Sequence, residues 1–241
     1  MRHVRYIVTA LLASSASSAW ADFSVGVYFG RGYTGRSDVR LREPGGTELS
    51  VNGVVWRDRS FTSPVYYGVR LSYFASPTAS NGLMLDFTHT KMYADPAQTV
   101  SVSGTRNGTP ASGKEPLAAT FSELSLSHGY NLLVLNLLHR WSHGSGEGVH
   151  TFSPYAGAGI GIAVPHVEVR TAGGTTDDYR FGGVAYQALA GVNYTADARW
   201  DLFTEYKLSY GDIEADLNSG GRLRVGPLTH HLTVGGSLDV H

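Results

Sequence analysis

The sequence predicts an all-β protein, an eight-stranded antiparallel up-and-down transmembrane β-barrel with long extracellular loops. Three observations indicate this fold: eight short stretches alternate apolar residues with small or polar ones, the connections between them alternate in length, and a secretion signal precedes them. Alternation with a period of two is typical of strands that have one apolar and one polar face. An even number of strands returns both chain ends to the periplasm, with short turns there and long loops outside.

The first residues have the pattern of a cleaved signal peptide that covers residues 1–21. Two arginines lie close to an apolar run at residues 7–12, and Ala19 and Ala21 have the small-x-small spacing of a signal-peptidase site. No segment reaches the roughly 18 uninterrupted apolar residues that a membrane-spanning helix needs. We therefore expect residues 22–241 to form one barrel domain in the outer membrane of a Gram-negative bacterium.

The composition narrows the class of protein further. Lys and Arg number 19 against 20 Asp and Glu, so the chain does not have the charge of a polybasic nucleic-acid binder, and no nucleic-acid partner is expected. The 30 glycines, 14 tyrosines and 4 tryptophans suit short strands with aromatic girdles at the two membrane surfaces. The absence of cysteine excludes disulfides, thiol catalysis and thiolate metal sites.

Eight segments carry the alternation and are the predicted barrel strands. They cover residues 23–30, 65–74, 83–90, 128–141, 155–164, 184–194, 200–210 and 232–240. The long connections are residues 31–64, 92–121, 167–182 and 211–226, and the short ones are residues 75–81, 142–153 and 195–198. A soluble secreted β-sandwich also alternates apolar and polar residues, but it does not predict this parity in loop length. The fourth segment is nearly all apolar, so its register stays open.

Four charged residues fall on the polar faces of these strands, namely Arg70, Asp201, Glu205 and Lys207. Eight strands enclose an interior that is only wide enough for side chains. Because buried charges persist when they are paired, we expect these four to form an ion-pair network that fills the lumen. A general diffusion pore is therefore not expected, and the outer rim, the loops and the lipid-facing wall become the places to look for function.

Several histidines lie at the predicted outer ends of the strands. His166 and Glu168 are two residues apart in an extended strand and therefore share a face. Neutral imidazoles and carboxylates are ligands of divalent transition metals, so these two, with His89 and His128, are candidate metal ligands. Parity places His89 and His166 outward and leaves His128 undetermined. A simpler interpretation makes these histidines and Lys91 cations at the height of the lipid phosphates.

Several segments together resemble the lipid A oxidase family of outer-membrane barrels. They are residues 37–39, 44–47, 55–56, 60–61, 64–68, 86–95 (DFTHTKMYAD), 127–129 (SHG) and 165–168 (PHVE). The similarity extends over nearly all of the mature chain, and the DFTHTK segment is its most specific part. The resemblance implies oxidation of the proximal glucosamine of lipid A to an aminogluconate unit, with molecular oxygen as co-substrate and hydrogen peroxide as co-product.

The resemblance implies lipid A (lipopolysaccharide) as the partner. Because its sugars lie at the height of the outer strand ends, we expect the catalytic set to be His89, Lys91, His128, His166 and Glu168. Neither a Rossmann glycine fingerprint nor a flavin motif is present to accept the electrons. We therefore expect a divalent metal held by the three histidines and Glu168, and we expect a monomer.

Two other functions stay open at this point. The first is a non-enzymatic barrel that anchors the envelope or binds a ligand outside. The second is a lipid A deacylase that uses Ser127 and His128, the only adjacent Ser-His pair at the rim. Adjacent residues in a regular strand point to opposite faces, so this pair is poorly placed for nucleophilic catalysis.

Overall fold

A computed structural model describes residues 21–141, 150–197 and 199–240. The predicted signal peptide lies outside the described residues except for residue 21, and so does most of the predicted turn at residues 142–153. Within the described part of the chain, one 3-10 turn at Leu117–Ala119 is the only helical element. No helix there has the length and apolar character needed to cross a membrane.

Sixteen strands make up the described structure. In chain order they are β1 (Asp22–Thr34), β2 (Ser37–Glu43), β3 (Thr47–Val54), β4 (Trp56–Arg57), β5 (Tyr67–Phe74), β6 (Asn81–Ala94), β7 (Thr99–Arg106), β8 (Thr109–Pro116), β9 (Glu123–Arg140), β10 (Phe152–Thr171), β11 (Gly174–Tyr179), β12 (Gly183–Thr195), β13 (Trp200–Gly211), β14 (Ile213–Asp216), β15 (Arg222–Val225) and β16 (Leu228–Asp239).

Eight of these strands close a barrel. Each pairs antiparallel with its neighbours in the order β1-β5-β6-β9-β10-β12-β13-β16, and β16 pairs back to β1. The closed ladder leaves no free strand edge inside a membrane, where every backbone polar group must find a partner. This confirms the predicted fold class, and each of the eight predicted segments overlaps one of these strands.

The alternation of side chains sets the inside and outside of the wall. In β1 the ring of Tyr28 is fully buried, whereas Val27 and Phe29 on either side of it are 55% and 60% exposed. In β9 the exposed large apolar residues are Leu133, Leu135 and Leu137, which settles the register that the sequence left open. These exposed apolar residues belong to the belt that faces lipid.

The lumen is filled by a charged network, as predicted. The ammonium of Lys207 donates to Asp86 Oδ2 at 2.6 Å and lies 3.5 Å from Glu205 Oε1. The hydroxyl of Tyr155 accepts from Arg70 at 2.9 Å and donates to Glu205 at 2.8 Å. All four charged side chains are at most 4% exposed, so the interior is packed and closed to diffusion.

One predicted member of that network is wrong. Asp201 forms no ion pair with any described residue. It lies opposite Thr195 in the β12–β13 ladder, at the end of the strands near the periplasmic turn. Asp86 takes its place, since it lies directly opposite Arg70 across the β5–β6 ladder. Period-two alternation places these charges on the polar face of the wall, but it does not determine how far along the barrel axis each charge lies.

The long connections are not irregular loops, which corrects the sequence-based expectation. Six strands from them form a second sheet above the barrel, in the order β14-β15-β2-β3-β7-β8. Its inner face buries Val39, Leu41 and Val51 in one core with Leu126 and Val167. Strand β9 begins before its predicted start, and β10 continues past its predicted end. Both strands extend beyond the barrel at the outer rim and pack against this sheet.

Candidate metal site at the outer rim

The ladder of the barrel wall is irregular where β6, β9 and β10 cross the outer rim. The register shifts between Thr90 and Met92 in β6 and between Pro165 and Val167 in β10. The β9 segment opposite both shifts is residues 127–129, and Gly129 adopts φ +134° there, a conformation that favours glycine. Such bulges re-aim side chains, so residues that alternate faces in a regular strand converge here.

Three predicted ligands meet at this irregularity. His128 Nδ1 lies 2.6 Å from Glu168 Oε1, and His166 Nδ1 lies 3.5 Å from the same oxygen. One ligand atom from each of the three residues lies within 4.8 Å of the others. The side chains of His166 and Glu168 are 13% and 15% exposed, whereas that of His128 is 62% exposed. The group is therefore open on the His128 side.

Neighbouring side chains hold the three residues in place. Glu168 accepts a hydrogen bond from Ser125 at 3.2 Å and a second from the hydroxyl of Ser127. The hydroxyl of Tyr179 donates to the backbone carbonyl of His128 at 2.9 Å. The ring of Tyr179 also packs edge-on against that of His166, with centroids 4.6 Å apart. Groups that orient ligands in this way are a regular part of metal sites.

The arrangement fits a divalent transition metal. Ligand atoms bound at about 2.1 Å in a tetrahedral site lie roughly 3.4 Å from one another, and the ligand atoms here need only small side-chain movements to reach that spacing. His166 Nδ1 is buried and has no hydrogen-bond partner among the described residues, so this nitrogen is available as a metal ligand. Two imidazoles and one carboxylate leave further coordination positions free.

The other two predicted site residues lie outside this group. Lys91 is 3% exposed, and its ammonium donates to the carbonyl of Thr62 at 2.8 Å, so it holds the segment between β4 and β5. His89 faces the same side as Phe87, as parity predicted, and its Nδ1 is hydrogen bonded to Asn131 Oδ1 at 2.9 Å. The structure therefore brings together three of the four predicted metal ligands.

A groove of about 560 Å³ runs down the outer wall from His128. Its lower lining is apolar and includes the lipid-facing side chains of Tyr67, Phe87, Leu133 and Ile162, whereas its rim end is lined by polar residues. The polar lining residues are His89, His128, Asn131 and Tyr179. The groove therefore opens towards the membrane, with polar groups above and apolar groups below.

Neither a protein-family model nor a curated protein matches this chain. Among solved structures it is similar to the outer membrane protein OprG from Pseudomonas aeruginosa, at 12% identity and a TM-score of 0.44, with 92% of this chain and 94% of that chain covered. It is also similar to the N-terminal β-barrel domain of Pseudomonas aeruginosa OprF (12%, 0.40, 90% and 97%) and to Neisserial surface protein A (15%, 0.40, 89% and 97%). A likeness at this level says nothing about activity.

The closed eight-stranded wall and its lipid-facing apolar belt decide the class of the molecule. The protein is an outer-membrane β-barrel. Its rim carries the His128, His166 and Glu168 group, hereafter the rim triad, beside a groove that faces the lipid.

Proposed function

We propose that this outer-membrane barrel is a lipid A oxidase. The observation that carries the proposal is the rim triad, a set of metal ligands that lies at the polar end of a membrane-facing groove. Lipid A lies in the outer leaflet with its sugars at the height of the strand ends and its acyl chains below. The polar and apolar parts of the groove have the same order along the membrane normal.

The donor set of the rim triad suits the reaction that the resemblance implies. Two histidines and one carboxylate with open positions are the ligand set of non-haem iron(II) sites that react with oxygen. A redox-active divalent metal held by His128, His166 and Glu168 would supply the electron-transfer chemistry that the oxidation needs. His128, the most exposed of the three ligands, also lines the groove, so a lipid headgroup in the groove lies against the triad.

The reaction is balanced without a further cofactor. The anomeric carbon of the proximal glucosamine, with a free hydroxyl, loses its C–H hydrogen with the bonding pair, and the hydroxyl loses a proton. A lactone forms, and one molecule of oxygen takes up two electrons and two protons to become hydrogen peroxide. Water then opens the lactone to the aminogluconate unit, so the product is one oxygen atom heavier than the substrate.

The geometry speaks against the deacylase alternative. Ser127 and Glu168 are now known to be close to His128, but both contact the same ring nitrogen, Nδ1, at 3.1 and 2.6 Å. In a Ser-His-acid triad the serine hydroxyl is hydrogen bonded to one imidazole nitrogen and the acid to the other. The acid orients the ring, and the opposite nitrogen takes the serine proton. Ser127 is also only 2% exposed, which leaves no room for attack on an ester.

Mass spectrometry of lipid A from cells that express the protein tests the proposal. We expect a gain of one oxygen with the unmutated chain and none with His128→Ala or His166→Ala, and we expect His89→Ala to abolish the modification for the reason given below. His139→Ala is the matched control, since His139 lies on the same β9 strand at the periplasmic end. A changed gel mobility on boiling reports that each variant is folded.

Each outcome of this experiment has a distinct meaning. Loss of an acyl chain indicates a deacylase, and an unchanged lipid A indicates a binding or structural barrel. Full activity in folded His128→Ala and His166→Ala variants contradicts the placement of the chemistry at the rim triad. Activity that survives treatment with a metal chelator contradicts the metal.

A further inference from the structure

His89 is held in one tautomer by Asn131. Asn131 Nδ2 donates to the carbonyl of Val164 at 3.2 Å, which fixes which end of the amide faces His89. The amide oxygen of Asn131 therefore lies 2.9 Å from His89 Nδ1 and accepts a hydrogen bond from it. Since a neutral imidazole carries one proton, His89 Nε2 keeps a free lone pair.

That second nitrogen has no partner. His89 Nε2 is buried, and no described residue forms a hydrogen bond with it. The ring is also clamped, because it stacks on Tyr67 with centroids 4.9 Å apart and planes 22° from parallel. A buried acceptor without a donor is energetically unfavourable, so a fixed, unsatisfied acceptor beside a groove indicates that a ligand supplies the donor.

We propose that His89 Nε2 is the base that accepts the proton of the anomeric hydroxyl, with Asn131 as the residue that positions it. This inference rests on the proposed function. The rim triad would hold the metal, and His89 accepts the proton. The O–H bond of the sugar breaks, the proton moves to Nε2, and the oxygen forms the carbonyl as the C–H hydrogen and its bonding pair pass from the carbon to molecular oxygen. The proton on His89 then passes to the reduced oxygen, which completes hydrogen peroxide.

The ligand class follows from the surroundings of His89. It is a membrane lipid whose sugar bears a free hydroxyl, because Tyr67 and Phe87 beside His89 belong to the lipid-facing wall. A bare imidazole nitrogen binds a hydroxyl donor and offers nothing to a phosphate. The site therefore selects a sugar with a free anomeric hydroxyl over one that carries a phosphate at that position.

The same two strands provide a matched control. Asn81 and His139 face each other across the β6–β9 ladder, as do His89 and Asn131. Asn81 Oδ1 lies 2.8 Å from His139 Nδ1 in the same kind of pair, but at the exposed periplasmic end. Asn81→Leu therefore removes an equivalent hydrogen bond far from the groove.

The experiment measures the tautomer and the rate separately. Nitrogen NMR of isotope-labelled histidine in the folded barrel, with His89→Gln to assign the signal, should show an unprotonated Nε2. Asn131→Leu should move the proton to Nε2 and lower kcat by about 10²- to 10⁴-fold, the range of general base catalysis. Asn131→Asp keeps the acceptor oxygen and should retain most of the activity, and Asn81→Leu should change neither quantity. Metal content should be the same in all variants.

The contradicting results are equally specific. A protonated Nε2 in the unmutated protein overturns the inference, and so does an Asn131→Leu variant that is folded and fully active. A loss of bound metal in Asn131→Leu would place Asn131 in the metal site and overturn the division of labour. If the unmutated protein leaves lipid A unchanged, the proposed function fails and the sugar fails with it, whereas the NMR spectrum still decides whether Nε2 is a free acceptor.

Discussion

Replacement of Lys207 by methionine should strongly destabilise the barrel. The ammonium of Lys207 is fully buried and donates to Asp86 at 2.6 Å and to the hydroxyl of Tyr28 at 2.6 Å. Methionine is similar in length but carries no charge, so the variant leaves the carboxylate of Asp86 buried without its cation. Tyr28 and Gln187 still donate hydrogen bonds to Asp86, which offsets only part of the loss.

The size of the effect follows from the pairing. Breaking a buried ion pair from one side costs about 3–5 kcal/mol, whereas neutralising both partners is often close to neutral. With an m-value of about 1–3 kcal/mol/M, a loss of about 3 kcal/mol lowers the urea midpoint by at least about 1 M. The double variant Lys207→Met/Asp86→Asn should recover most of that shift, because no unpaired charge remains.

Reversible urea unfolding in detergent or vesicles, followed by gel mobility, measures these shifts. Arg57→Met is the control, since Arg57 pairs with Asp95 at 2.8 Å on the surface, where its side chain is 71% exposed. A surface pair contributes little, so its midpoint should not move measurably. The reasoning about the lumen is refuted if Lys207→Met and Arg57→Met unfold at the same urea concentration, or if the double variant is less stable than Lys207→Met.

Three further predictions concern other parts of the molecule. Ser127→Ala should keep lipid A modification while the affinity for metal falls by about 10- to 100-fold, because Ser127 orients Glu168 and His128; a complete loss without loss of metal would favour the serine as a nucleophile. Gly68→Ala should lower the folded fraction on gels because its Cβ would overlap the ring of Tyr28, whereas Gly35→Ala, which meets only a carbonyl at 3.5 Å, should fold normally. Terminal sequencing of protein from the outer-membrane fraction should begin at residue 22, and recovery of an uncleaved chain would contradict the signal-peptide prediction.

The barrel could be predicted because the alternation that defines each strand lies within a short segment of the sequence. Alternation within each strand sets which side chains face lipid, and the placement of Val27, Phe29 and Arg70 followed from it directly. The second sheet was missed although Val39 and Leu41 alternate with exposed arginines, since β2 pairs with β15, about 180 residues further along the chain. The sequence near β2 does not indicate so distant a pairing partner. The short alternating segments inside the long connections were therefore interpreted as loops.

The rim site was predictable in its residue types but not in its geometry. His128, His166 and Glu168 were candidates because of their chemistry and their position near strand ends. Their convergence depends on two shifts of register and on the backbone of Gly129, which period-two reasoning does not contain. Asn131 was missed, yet it shares outward parity with Leu133, and a polar residue on a lipid-facing position was the signal that could have found it.

The most direct test of the central claim uses purified barrel reconstituted with lipid A that has a free anomeric hydroxyl. The protein is first stripped of metal with a chelator and then supplied with iron(II) in the presence or absence of oxygen, in water labelled with heavy oxygen. We expect lipid A to gain one oxygen that comes from the labelled water, with one hydrogen peroxide formed per molecule, only when metal and oxygen are both present and Glu168 is intact. Lipid A that stays unchanged under those conditions, or that changes equally with Glu168→Gln, would contradict the assignment of oxidase chemistry to the rim triad.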